Sequence, residues 1–180
     1  MKTNSEVTSL PSTVDLSAPF IVLQWGVRML DELTELLDAA IYKEIASQAF
    51  YIAGQNKTQD PGAKALMKEL AEEELKHSQW LKNLKEKGLE KQEWHQEKVP
   101  NLMISEYLTG GDTLEGASVQ DTLLFAMKRE QQAIEFYSKM MSVMRNKAAK
   151  RLCQRLVREE LKHKLKLETL YDDMLFFEEN

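Results

Sequence analysis

One five-residue word occurs twice in this chain, and it constrains the fold more than any other feature. Glu73-Glu74-Leu75-Lys76-His77 returns letter for letter as Glu159-Glu160-Leu161-Lys162-His163, 86 positions later. The same offset carries Ala63, Lys64, Leu66 and Leu70 onto Ala149, Lys150, Leu152 and Leu156, and Phe50-Tyr51 onto Phe136-Tyr137. A helical hairpin has been duplicated. Each copy holds Glu-x-x-His, and each has a further glutamate 30 positions before its second Glu: Glu44 in the first, Glu130 in the second. Residues three apart share one face of a helix, so Glu74 points with His77 and Glu160 with His163. Two hairpins related by an approximate two-fold axis would bring four carboxylates and two imidazoles to one centre. That set can cage two metal ions.

The surrounding pattern is helical. The 180 residues include 43% hydrophobic and 29% charged side chains, enough for one domain with a substantial core. Only 7 Gly and 4 Pro interrupt a chain rich in Leu, Ala, Glu, Lys, Gln and Met. Apolar residues at three- and four-residue spacing predict a first helix from about residue 18 to a stop at Gly54, with Gly26 as a candidate kink. Asp60-Pro61 predicts the start of a second helix ending near Gly88. Residues 89–117 lose the periodicity and read as a long crossover with a short helix near 101–108. Ser118 and Asp121 then open a third helix to about Asn146, and a fourth runs from about Lys147 to Phe176. The expectation is an all-α antiparallel four-helix bundle with one long crossover, residues 18–180, behind a loose tail at 1–17. The crossover is expected to return the chain to the end where the first helix began.

Composition narrows the function classes. The net charge of -5 is spread without a basic tract, so neither nucleic acid nor an anionic membrane is an expected partner. The apolar run Phe20 to Val27 is too short to span a bilayer. The first 17 residues do not read as a secretion signal, so a cytoplasmic protein is expected. Cys153 is alone, lies in an apolar stripe with Leu152 and Leu156, and reads as a buried small hydrophobe. The Met140-Met141-Met144 cluster, Trp25 and Trp80 also read as core, and His95 as a surface histidine.

The chemistry is in the acids. Glu44 and Glu130 interrupt apolar neighbours on core-facing stripes, where a carboxylate needs a reason to be. Carboxylates with imidazoles suit iron or manganese better than thiolate-preferring metals. Two divalent ions balance four ionised glutamates; without metal those acids repel and resist ionisation. Tyr51 and Tyr137, seven residues beyond Glu44 and Glu130, return to nearly the same face and are placed to hydrogen-bond a ligand. Glu73 or Glu159 is placed to orient the opposite hairpin's imidazole. Gln48, one turn after Glu44, is a weaker candidate for the lining.

The segment Arg129-Glu130-Gln-Gln-Ala-Ile-Glu-Phe-Tyr137 followed by Glu159-Glu160-Leu-Lys-His163 resembles the rubrerythrin-like branch of the ferritin-like superfamily, across roughly residues 30–175. The resemblance implies a non-haem di-iron centre that reduces peroxide or O2 with electrons from an external donor protein. By the resemblance, Glu74 and Glu160 bridge the ions, Glu44 with His77 completes one, and Glu130 with His163 completes the other. Two departures stand out. The sequence lacks the four cysteines of a rubredoxin module. It also has Ala133 where the family tends to place another glutamate, with Ser47 at the equivalent position of the first hairpin. The symmetric six-residue set is similar to a bacterioferritin-type ferroxidase centre, so iron handling is the alternative, and a dinuclear hydroxylase a third. A homodimer is the expected assembly.

Overall fold

The computed structural model describes residues 19–89, 98–107 and 118–178. Among these residues five helices follow in order: α1 (Pro19–Lys57), α2 (Pro61–Lys87), the short α3 (Ile104–Tyr107), α4 (Val119–Val143) and α5 (Lys147–Glu178). The four long ones form the expected bundle. α1 packs against α2 and α4 against α5, as the duplicated hairpins require. The expected tail at 1–17, His95 and the side chain of Trp25 lie outside the described residues.

Local chemistry explains the helix ends. The Asp60 carboxylate accepts from the Ala63 amide at 2.7 Å, and proline follows it where the missing N–H costs nothing. Gly88 closes α2 at φ 79, a backbone conformation that favours glycine. Ser118 accepts from the Asp121 amide at 3.0 Å, and its hydroxyl donates to the Asp121 carboxylate at 2.8 Å. Gly26 does not split α1, which is continuous from Pro19. Gly54 is not a helix stop either: α1 continues to Lys57. A Cβ at Gly54 would lie 3.2 Å from the Met67 sulfur, so glycine here permits close approach of α2.

One topological expectation is overturned. Tyr51 bonds Glu130 and Tyr137 bonds Glu44; the Arg129 guanidinium covers the Phe50 ring, and the Lys43 ammonium faces Phe136. Along these pairs the α4 number falls as the α1 number rises, so α1 and α4 are antiparallel. The crossover therefore carries the chain along the bundle, and α4 starts at the end opposite to the start of α1. The two-fold axis runs across the bundle instead of along it. This places each tyrosine at the level of the other hairpin's glutamate.

The core is divided. One apolar cluster contains Leu36, Ala40, Leu81, Leu84, Tyr137, Leu152 and Leu156, with Met144 buried and Trp80, Met140 and Met141 packed against it. The other contains Phe50, Tyr51, Met67, Leu70, Leu123, Met127 and Leu167. On every long helix the glutamate of the repeated pattern falls between the two sets. A polar layer thus crosses the middle of an apolar bundle.

The crossover is tied down by a buried polar network that the sequence pattern did not reveal. Lys164 is fully buried and donates to Asn101 Oδ1 and Gln131 Oε1, each at 2.9 Å, with Glu168 Oε1 at 3.6 Å. Glu168, also fully buried, accepts from the amides of Ile104 at 2.9 Å and Leu102 at 3.3 Å. The residues 86 positions earlier are Ser78 and Lys82, of which Ser78 is buried and Lys82 exposed. Comparison of the repeats marks Lys164 as an inward position; only the folded crossover explains Glu168. Glu168→Ala would take from the buried Lys164 ammonium its nearest carboxylate and from the two amides their acceptor. It is expected to cost about 3–5 kcal/mol in chemical denaturation. A loss under about 1 kcal/mol, typical of an exposed ion pair, would refute the anchoring role.

Candidate metal centre

The polar layer is built from Glu44 on α1, Glu74 and His77 on α2, Glu130 on α4, and Glu160 and His163 on α5. All six candidate ligands are brought together, and all four glutamates are buried. Their donor atoms form two groups, each within 4.8 Å: Glu44, Glu74 and His77 in one; Glu74, Glu130, Glu160 and His163 in the other. Glu74 belongs to both, the position of a bridging carboxylate. Glu160, expected to bridge by the resemblance, is gathered with the second group only. Glu44 falls with His77 and Glu130 with His163, in the pairing the resemblance implies.

The imidazoles present one nitrogen inward. His77 Nδ1 is 3.6 Å from both Glu44 Oε2 and Glu74 Oε2. His163 Nδ1 is 3.2 Å from Glu74 Oε1, 3.9 Å from Glu160 Oε2 and 4.0 Å from Glu130 Oε2. The rings stack with centroids 5.3 Å apart. On its outer side His163 Nε2 is 3.2 Å from Glu73 Oε2. A proton on Nε2 directed at Glu73 leaves the Nδ1 lone pair for the centre, as carboxylate partners of ligand histidines commonly do. Lys166 Nζ holds Glu73 in place at 2.8 Å.

The two tyrosines reach the cluster in a crossed arrangement. The Tyr137 hydroxyl donates to Glu44 Oε1 at 3.0 Å, and the Tyr51 hydroxyl donates to Glu130 Oε1. Each tyrosine supports the glutamate of the opposite hairpin. Burial, together with Glu130 for Tyr51 and Glu44 for Tyr137, holds both phenols well above their ordinary range, so they remain donors. The second-hairpin counterpart of Glu73 has another role. Glu159 lies 3.5 Å from Lys162 and 3.8 Å from Arg155 on its own helix, not on an imidazole. Gln48 is partly buried and makes no hydrogen bond to the cluster among the described residues. Ala133 is buried in the apolar core beside Tyr137, so no seventh carboxylate enters there.

Electrostatics test whether this layer fits a metal pair. Burial, with Glu74 alongside, pushes Glu44 up to about 8. Burial opposes ionisation of Glu74 too, but the facing Glu44, His163 and His77 hold it below the usual carboxylate range. Burial and the neighbouring Glu130 push Glu160 well above that range. Burial alone would lower His77, but Glu44 and Glu74 raise it to about 9. His163 is likewise raised by Glu73 and Glu74 against the effect of burial. Protons therefore take the place of positive charge. Even so, both carboxylate oxygens of Glu74, Glu160 Oε2 and His163 Nδ1 are buried without a hydrogen bond of good geometry. Such atoms cost about 1–3 kcal/mol each. They converge on the same small volume, and oxygen plus imidazole nitrogen is a donor set for iron or manganese. The residues fit the group.

The histidine edge opens to a cavity of about 520 Å³ lined by His77, His163, Glu73, Glu159, Lys76, Lys162 and Lys166, with Lys98 to Pro100 of the crossover alongside. His77 is 20% exposed and His163 2%. Cys153 is buried and its thiol pushed up to about 11 by burial, which makes it unreactive.

The model of the rubrerythrin family matches residues 35–171, which include every candidate ligand. A solved structure of a hypothetical protein from Pyrococcus furiosus is 30% identical, covers 81% of this chain and 91% of its own, and superposes with a TM-score of 0.55. No curated protein matches the chain.

Two outcomes are expected. Glu74→Ala removes the carboxylate common to both groups and should reduce bound metal from two ions per chain to one or none, whereas Glu159→Ala should leave it unchanged. Metal analysis of the purified variants distinguishes them. In chelator-treated protein, Glu44 and His77 both have folded values above their unfolded ones, so folding takes up protons. Stability is full below the unfolded values and is lost as pH rises through about 8 and about 9. Melting temperature should fall from pH 6 to pH 9, and bound metal, which replaces those protons, should flatten the profile. A metal-free profile that rises over this window would contradict the assignment.

Proposed function

The chain belongs to the rubrerythrin family, and from that membership we propose that it is a dinuclear-iron oxidoreductase reducing hydrogen peroxide or O2 with electrons from an external donor protein. The observation that carries the reading is the convergence of four buried glutamates and two histidines, several of whose donor atoms are buried without a hydrogen bond. Glu44, Glu74, His77, Glu130, Glu160 and His163 would hold the two ions. When bound, the iron pair supplies reversible redox chemistry that no side chain here can supply.

The remaining residues have definable tasks. Tyr51 and Tyr137 fix the carboxylate orientation of Glu130 and Glu44 and keep those oxygens from swinging away. Glu73 sets the His163 tautomer. The apolar clusters on both sides exclude water from the layer, which strengthens every electrostatic interaction within it. The cavity at the histidine edge is the route by which a small oxidant reaches the centre. Within this sequence the single, buried cysteine cannot build a four-cysteine iron site, so the reading assigns the electrons to a separate donor.

A second reading is favoured by one observation. The six-residue set without a carboxylate at Ala133 suits a ferroxidase that handles iron. No helix among the described residues is long and apolar enough to cross a membrane.

Reduced, iron-loaded protein should develop ferric absorption faster with hydrogen peroxide than with an equal concentration of O2 in anaerobic stopped-flow mixing. A preference for O2, accompanied by turnover of added ferrous iron, would replace the first reading by the second. Absence of any oxidation by either would sink both.

A further inference from the structure

The lysine of the repeated word lies outside both the polar layer and the apolar core. Lys76 and Lys162 stand next to His77 and His163, and the relation between the hairpins brings both lysines to the one cavity at the histidine edge. Lys166 of α5 and Lys98 of the crossover line it too, and among the described lining residues Glu73 and Glu159 are the acids that face them. Those acids are already matched. Glu73 lies 2.8 Å from Lys166 and 3.2 Å from His163 Nε2. Glu159 lies 3.5 Å from Lys162 and 3.8 Å from Arg155. Lys76 and Lys98 form no ion pair among the described residues. In a chain of net charge -5, this cavity therefore carries local positive charge. Val99, Pro100 and Leu165 give it an apolar wall. Its size also exceeds what a small oxidant needs. Hydrogen peroxide and O2 are little larger than water, which occupies about 30 Å³. The cavity, at about 520 Å³, falls within the roughly 300–1,000 Å³ of sites that hold organic molecules.

On the footing of the oxidoreductase reading above, we propose that this cavity binds an organic hydroperoxide carrying a carboxylate. Lys76 and Lys98 hold the carboxylate, and Val99, Pro100 and Leu165 take the hydrocarbon. The apolar wall favours an anion with a carbon skeleton over inorganic phosphate. The hydroperoxide end is directed to His77, the more open imidazole. Reduction breaks the O–O bond. Two electrons come from the external donor protein and two protons from solvent, and the products are the alcohol and water. The uncompensated ammonium groups also draw the anion toward the cavity, an attraction that added salt screens. A neutral hydroperoxide of the same shape forgoes both the attraction and the anchor.

Titration calorimetry of the full, metal-loaded chain tests the binding apart from the reaction. The unreactive para-isopropylbenzoate should bind at least about tenfold more tightly than its neutral amide. The double variant Lys76→Gln, Lys98→Gln should lose that preference while helix content and bound metal stay unchanged. In anaerobic stopped-flow mixing with reduced wild type, para-carboxycumene hydroperoxide should produce ferric absorption at least about tenfold faster than cumene hydroperoxide, and the double variant should bring the two rates together. A benzoate that binds no better than the amide would overturn the proposal. So would a preference that survives the double substitution, because the carboxylate would then be held elsewhere, or inorganic phosphate that outcompetes the benzoate. Oxidation by hydrogen peroxide without benzoate binding would remove this inference and leave the oxidoreductase reading standing. Benzoate binding without oxidation by any peroxide would remove both.

Discussion

Four carboxylates in the middle of an apolar bundle are the constraint to which the other features answer. Each would be costly alone in a low-dielectric interior. The fold meets that cost with protons raised onto Glu44, Glu160 and both histidines, and with two tyrosine hydroxyls delivered across the bundle. The atoms still unpaired after this, on Glu74, Glu160 and His163, point toward one another. A metal pair would satisfy them all at once. The apolar clusters above and below provide the packing that holds the layer against its own repulsion.

The antiparallel relation of α1 and α4 makes the support reciprocal. A tyrosine seven residues from its own glutamate lies two turns away along the helix, about 10 Å. It reaches a carboxylate only because the facing helix runs the other way and brings its glutamate to that level. One rule, copied with the hairpin, thereby serves both halves. The copies then diverged. Glu73 holds His163, whereas Glu159 turns to Lys162 and Arg155. The described part of the crossover lies over α4 and α5 through Lys164 and Glu168. The two ends of the polar layer are not equivalent in exposure: His77 borders the cavity more openly than His163.

Much of this was legible in the residue order. Asp60-Pro61, Gly88 and the Ser118–Asp121 pair marked helix ends correctly because capping is a contact between near neighbours in sequence. The six clustered acids and imidazoles were legible because the duplication repeats their spacing. Gly54 misled, since the feature that matters there is Met67 on the next helix, which no local rule describes. The crossed tyrosine pairs were half legible: the face was right, but the partner depended on helix direction. Lys164 and Glu168 were missed, as an i, i+4 ion pair on a Lys- and Glu-rich helix looks like ordinary surface.

By itself the sequence determined the helices, their pairing into two equivalent hairpins, and the identity of the residues that converge. Those are consequences of periodicity, capping and repetition, all carried by short stretches of chain. Only the tertiary structure decided which way α4 runs, that Glu74 is common to both donor groups while Glu160 is not, that Glu73 and not Glu159 holds an imidazole, and which outer face the crossover covers. These depend on where distant segments cross. That geometry is set by the packing of the whole bundle, and an 86-residue repeat leaves it open because identical hairpins can be related by an axis along the bundle or across it.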